Sequence, residues 1–421
     1  MRLRHLLGVV PRTGYDPARP CGLPPGRAGQ APIRYNAGMS LPVPSSDALA
    51  ASHALQNLIA ADIERNDGAI SFARFMELAL YAPDLGYYSG GSAKLGKDGD
   101  FTTAPELTPL FGAALARVAA AIIAQSAPRI LEFGAGTGKL AFDILGAMAA
   151  DGVAVERYFI VELSGELRAR QRERLRDFPQ VEWLDALPDA FDGVVFGNEV
   201  LDAMPVHLVT KHPEGWQELR VTVRDGRFDW LEAPAGDALL AQIERQIADH
   251  AELPVGYVTE VHGVACGFMA TLGRMLRGGG ANAAFLFDYG FPAHEYYLGL
   301  RATGTLMCHY RHHAHPDPFY YPGLQDITAH VDFTAMALAA QDAGAGVLAY
   351  LNQAGFLIGA GIGELLLRTD PSDTLNYLPR AGAVQKLLSP AEMGELFKVL
   401  VIGKNVTLPD AITMHDRSHR L

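Results

Sequence analysis

The stretch Arg129-Ile130-Leu131-Glu132-Phe133-Gly134-Ala135-Gly136-Thr137-Gly138-Lys139-Leu140 constrains the fold more than any other part of the chain. Ile130 to Phe133 reads as a short buried strand that runs into a glycine-rich turn. A helix follows through Ala141-Phe142-Asp143-Ile144-Leu145. Glycines at such a turn let the backbone take unusual dihedrals and let a ligand lie against the main chain. The helix start behind them offers unpaired N–H groups and a partial positive charge.

A dinucleotide fingerprint requires G-x-G-x-x-G. Counted from Gly134, its last position falls on Lys139, and an additional glycine stands at 138. Glu132 precedes the turn by two residues. A carboxylate there would repel a pyrophosphate but suits S-adenosylmethionine (SAM), which carries an ammonium and a sulfonium and no pyrophosphate. The apolar run Tyr158-Phe159-Ile160-Val161 has the spacing of the second strand of a βαβ unit and ends in Glu162, a carboxylate that can accept both ribose hydroxyls. Val181-Glu182-Trp183-Leu184-Asp185 supplies a third strand. Trp183 and Leu184 are placed either to sandwich an adenine or simply to pack in the core. Together these elements favour SAM over NAD.

With 421 residues, 49% hydrophobic, the chain can bury a large core in more than one subdomain. A formal net charge of −12 without a basic stripe argues against a nucleic-acid partner. Cys21, Cys266 and Cys308 have neither pairing nor metal spacing and suit a reducing compartment. No run of apolar residues is long enough for a membrane span. Residues 1–38 stand apart, with arginines at 2, 4, 12, 19, 27 and 34 against the single acid Asp16. The absence of serine before Ser40, and the prolines, favour an extended or misassigned start over a mitochondrial transit peptide. The extension is expected to be disordered or loosely packed.

Further along, residues 53–64 and 71–80 have helical apolar spacing. Thr103 and Glu106 fit a capping box, with Pro105 in the first turn of a helix running to about Ser126. Phe191 to Gly197 is a fourth strand, ending in Asn198-Glu199-Val200-Leu201-Asp202. The carboxyl edge of an open α/β sheet holds the chemistry, so Asn198, Glu199 and Asp202 are the candidate catalytic residues. Residues 206–232 alternate as an antiparallel insertion of two or three strands. Ala283 to Phe287 is a fifth core strand, ending in Asp288-Tyr289-Gly290. The histidines at 309, 312, 313, 315 and 330 lack metal-ligand spacing and suit a polar channel lining; no metal is expected. Ser389-Pro390-Ala391-Glu392 reads as the start of a helix carrying Met393, Leu396 and Phe397.

These motifs resemble the MidA-like SAM-dependent methyltransferase family, whose mitochondrial members act as complex I assembly factors and protein arginine methyltransferases. The resemblance rests on Gly86-Tyr87-Tyr88, Gly99-Asp100-Phe101-Thr102-Thr103-Ala104-Pro105-Glu106, the Gly134 turn, Gly197 to Val206, Asp288-Tyr289-Gly290, Gly304-Thr305-Leu306 and Asp326 to Phe333, spanning roughly residues 50 to 405. It implies an α/β, class I (Rossmann-like) methyltransferase core at 127–290, with a cofactor-covering helical segment at 39–126 and a substrate-side subdomain at 291–421. The candidate cofactor-binding residues are Asp100, Thr102, Glu132, Gly134, Ala135, Gly136, Gly138, Glu162, Trp183, Asp185 and Asn198. It implies a protein acceptor, a respiratory-complex subunit in the mitochondrial branch, and arginine as the side chain modified. Glu199 and Asp202 then hold the guanidinium and one of them takes its proton. The two-glutamate hairpin of other arginine methyltransferases is absent. The alternatives are a SAM-binding assembly factor without turnover and a small-molecule methyltransferase. The expected compartment is the cytoplasm, or the mitochondrial matrix if residues 1–38 are a transit peptide. Low charge and apolar C-terminal helices are compatible with a homodimer.

Overall fold

The computed structural model describes residues 41–90 and 103–421. The 1–38 extension and the candidates Asp100 and Thr102 lie outside the described residues. The central sheet contains β1 (Arg129–Phe133), β2 (Arg157–Val161), β3 (Val181–Trp183), β4 (Gly193–Asn198), β5 (Asn282–Phe291), β6 (Val331–Asp332), β7 (Gly346–Asn352) and β8 (Phe397–Lys404). Its order is β7-β8-β5-β4-β1-β2-β3, with β6 paired to the end of β5. The pairs β1–β2, β2–β3, β1–β4 and β4–β5 are parallel, and β8 runs antiparallel between β5 and β7. The strand order therefore reverses between β1 and β4, which opens a crevice at their carboxyl ends.

Continuous apolar runs make these strands. Val194-Val195-Phe196, Ala283 to Phe287 and Val399 to Ile402 are buried on both faces of the sheet, the pattern of a sheet covered on two sides. Helices Pro109–Ile123 and Lys139–Ala150 cover one face, and Gly263–Gly278 and Phe333–Asp342 cover the other. A second, antiparallel sheet joins His207–His212, Gly215–Arg224 and Arg227–Pro234 to Val258–Val261 and to Ala69–Ser71 from the N-terminal segment. Helices Ser46–Arg65 and Phe72–Tyr81 share a hydrophobic cluster with it. A three-stranded sheet of Met307–Tyr310, His313–His315 and Asp326–Thr328 completes the architecture.

Two local expectations are corrected. Thr103 makes no side-chain cap; Ala104–Leu107 is a single turn, and the long helix begins at Pro109 with the Thr108 hydroxyl accepting from Leu110 N at 3.3 Å. Pro109 disfavours the helical region for the residue before it, and Thr108 is extended at φ −161°. Ser389 likewise opens no helix. Helix Thr374–Leu388 ends there, and Phe397 enters β8. The β-branched Val399, Val401 and Ile402 are buried between two neighbouring strands, and that pairing overrides the capping signal before it.

Candidate functional site

Gly134, Gly136 and Gly138 all adopt left-handed backbone, at φ 61°, 52° and 78°. A Cβ at Gly134 would stand 3.3 Å from Val200 Cγ2, on the opposite wall. The turn borders a cleft of about 180 Å³ that it shares with Glu132, Glu162, Asn198, Glu199, Asp202 and, from the N-terminal segment, Tyr81 and Tyr88. Ala135 also lines the cleft; Gly138, Trp183 and Asp185 do not.

Glu162 follows β2 directly and is buried. Its Oε1 accepts from Ser164 N at 3.0 Å and its Oε2 from Gln171 Nε2 at 3.0 Å. Burial raises its pKa against those two hydrogen bonds. Gln171 is fully buried and is the residue that sequence reasoning missed. It also donates to the Gly136 carbonyl at 2.9 Å, and its Oε1 accepts from Trp183 Nε1 at 2.8 Å. Gln171 thus ties the glycine turn, the strand-end carboxylate and β3 together. The one available signal was a lone amide in the otherwise charged helix Gly165–Arg174. Trp183 therefore acts through Gln171, with Arg172 over its ring at 5.3 Å. The exposed Asp185 pairs with Arg168 at 2.7 Å. Glu132 accepts from Tyr158 OH at 2.6 Å, and burial pushes it up to about 7.

The third wall is the end of β4. Glu199 is left-handed at φ 52°, with its N–H donated to the Phe287 carbonyl at 2.8 Å. A non-glycine residue in that region is strained, and such strain concentrates at functional sites. Asn198 Nδ2 donates to Glu199 Oε1 at 3.0 Å. Burial and the neighbouring Asp202 push Glu199 up to about 8, and burial pushes Asp202 up to about 6. Two buried acceptors here, Asn198 Oδ1 and Asp202 Oδ1, have no hydrogen-bond partner among the described residues.

The N-terminal segment closes one side. Tyr81 OH donates to the Ala203 carbonyl at 2.9 Å, and Tyr88 OH reaches both carboxylate oxygens of Asp326 at 3.0 Å. The two rings stack 5.5 Å apart. A Cβ at Gly86 would meet Ala82 N at 2.5 Å, so this turn requires glycine. Glu106 accepts from the Thr137 hydroxyl, which fastens the segment to the glycine turn. No histidine between 309 and 315 lines the cleft: His312 and His313 are exposed on a hairpin tip and His315 is buried. Among the described residues, no three His, Cys, Asp or Glu side chains group to hold a metal ion, and no helix is long and apolar enough to cross a membrane.

The donor set selects the ligand. Five carboxylates, Glu106, Glu132, Glu162, Glu199 and Asp202, and the Asn198 amide oxygen line the cleft around the turn, which suits a cationic ligand and disfavours a pyrophosphate. The glycine turn and Glu162 would hold SAM, a sulfonium whose bond to its methyl carbon is the group-transfer chemistry it supplies.

Known proteins agree. The Methyltransf_28 model, of S-adenosyl-L-methionine-dependent methyltransferases, matches residues 111–351. The mitochondrial protein arginine methyltransferase NDUFAF7 of Mus musculus is 31% identical over 373 residues, covering 79% of this chain and 80% of that protein. The mitochondrial NDUFAF7 homolog of Caenorhabditis elegans is 29% identical over 310 residues, 66% of this chain and 70% of that one. A COG1565 superfamily member from Burkholderia thailandensis, crystallised with S-adenosyl-homocysteine, is 52% identical; it covers 91% of this chain and 100% of its own, with a TM-score of 0.85. The cofactor is SAM. From the glycine turn to the carboxylates at the end of β4, and over more than half its length, the chain belongs to the MidA-like family of SAM-dependent methyltransferases.

Proposed function

We propose that the protein methylates an arginine side chain of a protein acceptor. The observation that carries this reading is the pair Glu199 and Asp202, two carboxylates on one turn at the carboxyl edge of the sheet, both lining the cofactor cleft. A guanidinium presents a planar fork of donors that two carboxylates match. Binding it offsets the burial and the neighbouring Asp202 charge that raise Glu199. In the transfer, a guanidinium nitrogen bonds to the methyl carbon while the carbon–sulfur bond breaks and its electrons stay on sulfur. The nitrogen's proton passes to Glu199 or Asp202. Alignment in a closed cleft supplies about 7–11 kcal/mol of such a barrier. Tyr81 and Tyr88 help close the cleft, their hydroxyls already engaged by Ala203 and Asp326. The relatives named protein arginine methyltransferases support the acceptor class at about the 30% identity level.

The test is incubation of the purified protein with methyl-labelled SAM and a lysate of its own host, followed by amino-acid analysis of labelled bands. A band carrying methylarginine, lost in Glu162→Ala and in Glu199→Gln, is the expected result. Cofactor binding with label only in small molecules, or nowhere, would overturn the protein-acceptor reading.

A further inference from the structure

Glu199 and Asp202 sit on a turn whose conformation is not self-sustaining. Glu199 is left-handed, a region that costs a side-chain-bearing residue about 1–2 kcal/mol. Among the described residues, the buried Asp202 Oδ1 has no hydrogen-bond partner. Something outside the turn must hold it. Among the described residues, one fully buried carboxylate, contributed by another strand, engages the turn's main chain. Asp288, near the end of β5, accepts from Leu201 N at 2.9 Å and from Asp202 N at 3.2 Å through the same oxygen, Oδ2. Its other oxygen, Oδ1, accepts from Tyr289 N at 3.0 Å and so fixes the carboxylate plane.

We propose that Asp288 is a positioning residue for methyl transfer: by taking the Leu201 and Asp202 N–H groups it fixes the turn that aims Glu199 and Asp202 at the acceptor. This rests on the reading of those two carboxylates as the acceptor-side groups. The topology makes the assignment specific. Strand β5 pairs with β4 in register up to Phe287 opposite Asn198, so Asp288 is the first residue past the paired stretch. It meets the chain just where β4 leaves the sheet. The Phe287 carbonyl takes the Glu199 N–H and the Asp288 carboxylate takes the next two turn donors it can reach, at Leu201 and Asp202. The far side of the turn is tied separately, by Ala329 N donating to the Asp202 carbonyl at 3.0 Å and by Tyr81 OH on Ala203. Asp288 itself does not line the cleft, so it acts through the turn and not on the ligand.

The test uses the full chain and two variants. Asp288→Ala removes the acceptor; Asp288→Asn keeps one oxygen able to take both N–H groups. Crystal structures with S-adenosyl-homocysteine, and calorimetric affinity for that ligand, read the geometry without needing the acceptor. In Asp288→Ala the turn 199–203 is expected to rearrange with Glu199 leaving the left-handed region. S-adenosyl-homocysteine affinity should stay within about twofold, because the glycine turn and Glu162 are untouched. Label transfer into lysate protein should fall about a hundredfold, the cost of a misplacement near 1 Å. Asp288→Asn should keep the turn and at least a tenth of the transfer rate. An unmoved turn in Asp288→Ala would overturn the proposal, as would equal loss in Asp288→Asn or lost ligand affinity in either variant. A turn that moves while label transfer persists would instead sink the role given to Glu199 and Asp202.

Discussion

Replacing Gln171 by leucine isolates the hinge between the glycine turn and the strand-end carboxylate. The two side chains are close in shape, and Gln171 is fully buried, so the change removes hydrogen bonds with little change in packing. Three bonds go: to the Gly136 carbonyl, to Glu162 Oε2 and from Trp183 Nε1. The two neutral bonds contribute about 1 kcal/mol each and the one to the carboxylate about 1.5–3 kcal/mol. Trp183 is only half-buried and water can replace part of its loss. The expected destabilisation is therefore about 3–4 kcal/mol, which at roughly 2 °C per kcal/mol lowers Tm by about 6–8 °C. Glu162 keeps Ser164 N but loses the partner that orients its second oxygen. SAM affinity by calorimetry should then fall about tenfold, a loss near 1.4 kcal/mol. Arg172→Leu, the adjacent exposed residue on the same helix, is the control, because it loses only a ring contact of about 0.5–1 kcal/mol. If Gln171→Leu leaves Tm within 2 °C, about 1 kcal/mol at this scale, and the affinity within twofold, the hinge does not hold the site.

Two further outcomes follow from the same geometry. Between the ordinary value of 4.5 and about 8 the folded, ligand-free protein keeps a proton on Glu199 that the unfolded chain has released, so this group's contribution to stability is full below 4.5 and is lost as pH rises through 8. Glu199→Gln should flatten the fall of Tm expected of the wild type between pH 6 and 8.5, leaving the slopes of the other raised buried carboxylates, Asp288, Glu132 and Asp332 among them; superimposable profiles would contradict it. Gly134→Ala forces a methyl into left-handed backbone at φ 61° and within 3.3 Å of Val200, at a cost of about 1–2 kcal/mol. SAM affinity should drop about tenfold or more, and unchanged affinity by calorimetry would show that the turn adapts.

The residues proposed to hold the cofactor were readable in order because their chemistry is local. A strand, a turn that only glycines can make and a helix start lie within twelve consecutive residues, and Glu162 stands at the end of the next apolar run. Apolar continuity likewise announced β4 and β5 and most of β2, since a strand buried on both faces has no polar phase. Proline 109 broke a helix that capping residues had suggested, because its steric demand falls on the residue before it. Phe397 joined a strand for reasons visible only in its neighbours. The partners of each carboxylate were hidden for a different reason. Gln171 reaches Gly136 across 35 residues, Asp288 reaches Leu201 across 87, and Tyr88 reaches Asp326 across 238. Nothing in a one-dimensional pattern marks a hydrogen bond formed at such separations, because its energy is gained only after the sheet has assembled. The sequence by itself determined which ligand chemistry the cleft admits. Only the tertiary structure decided how the carboxylates are oriented, by bringing distant N–H and O–H groups to bear on side chains that the sheet had already buried.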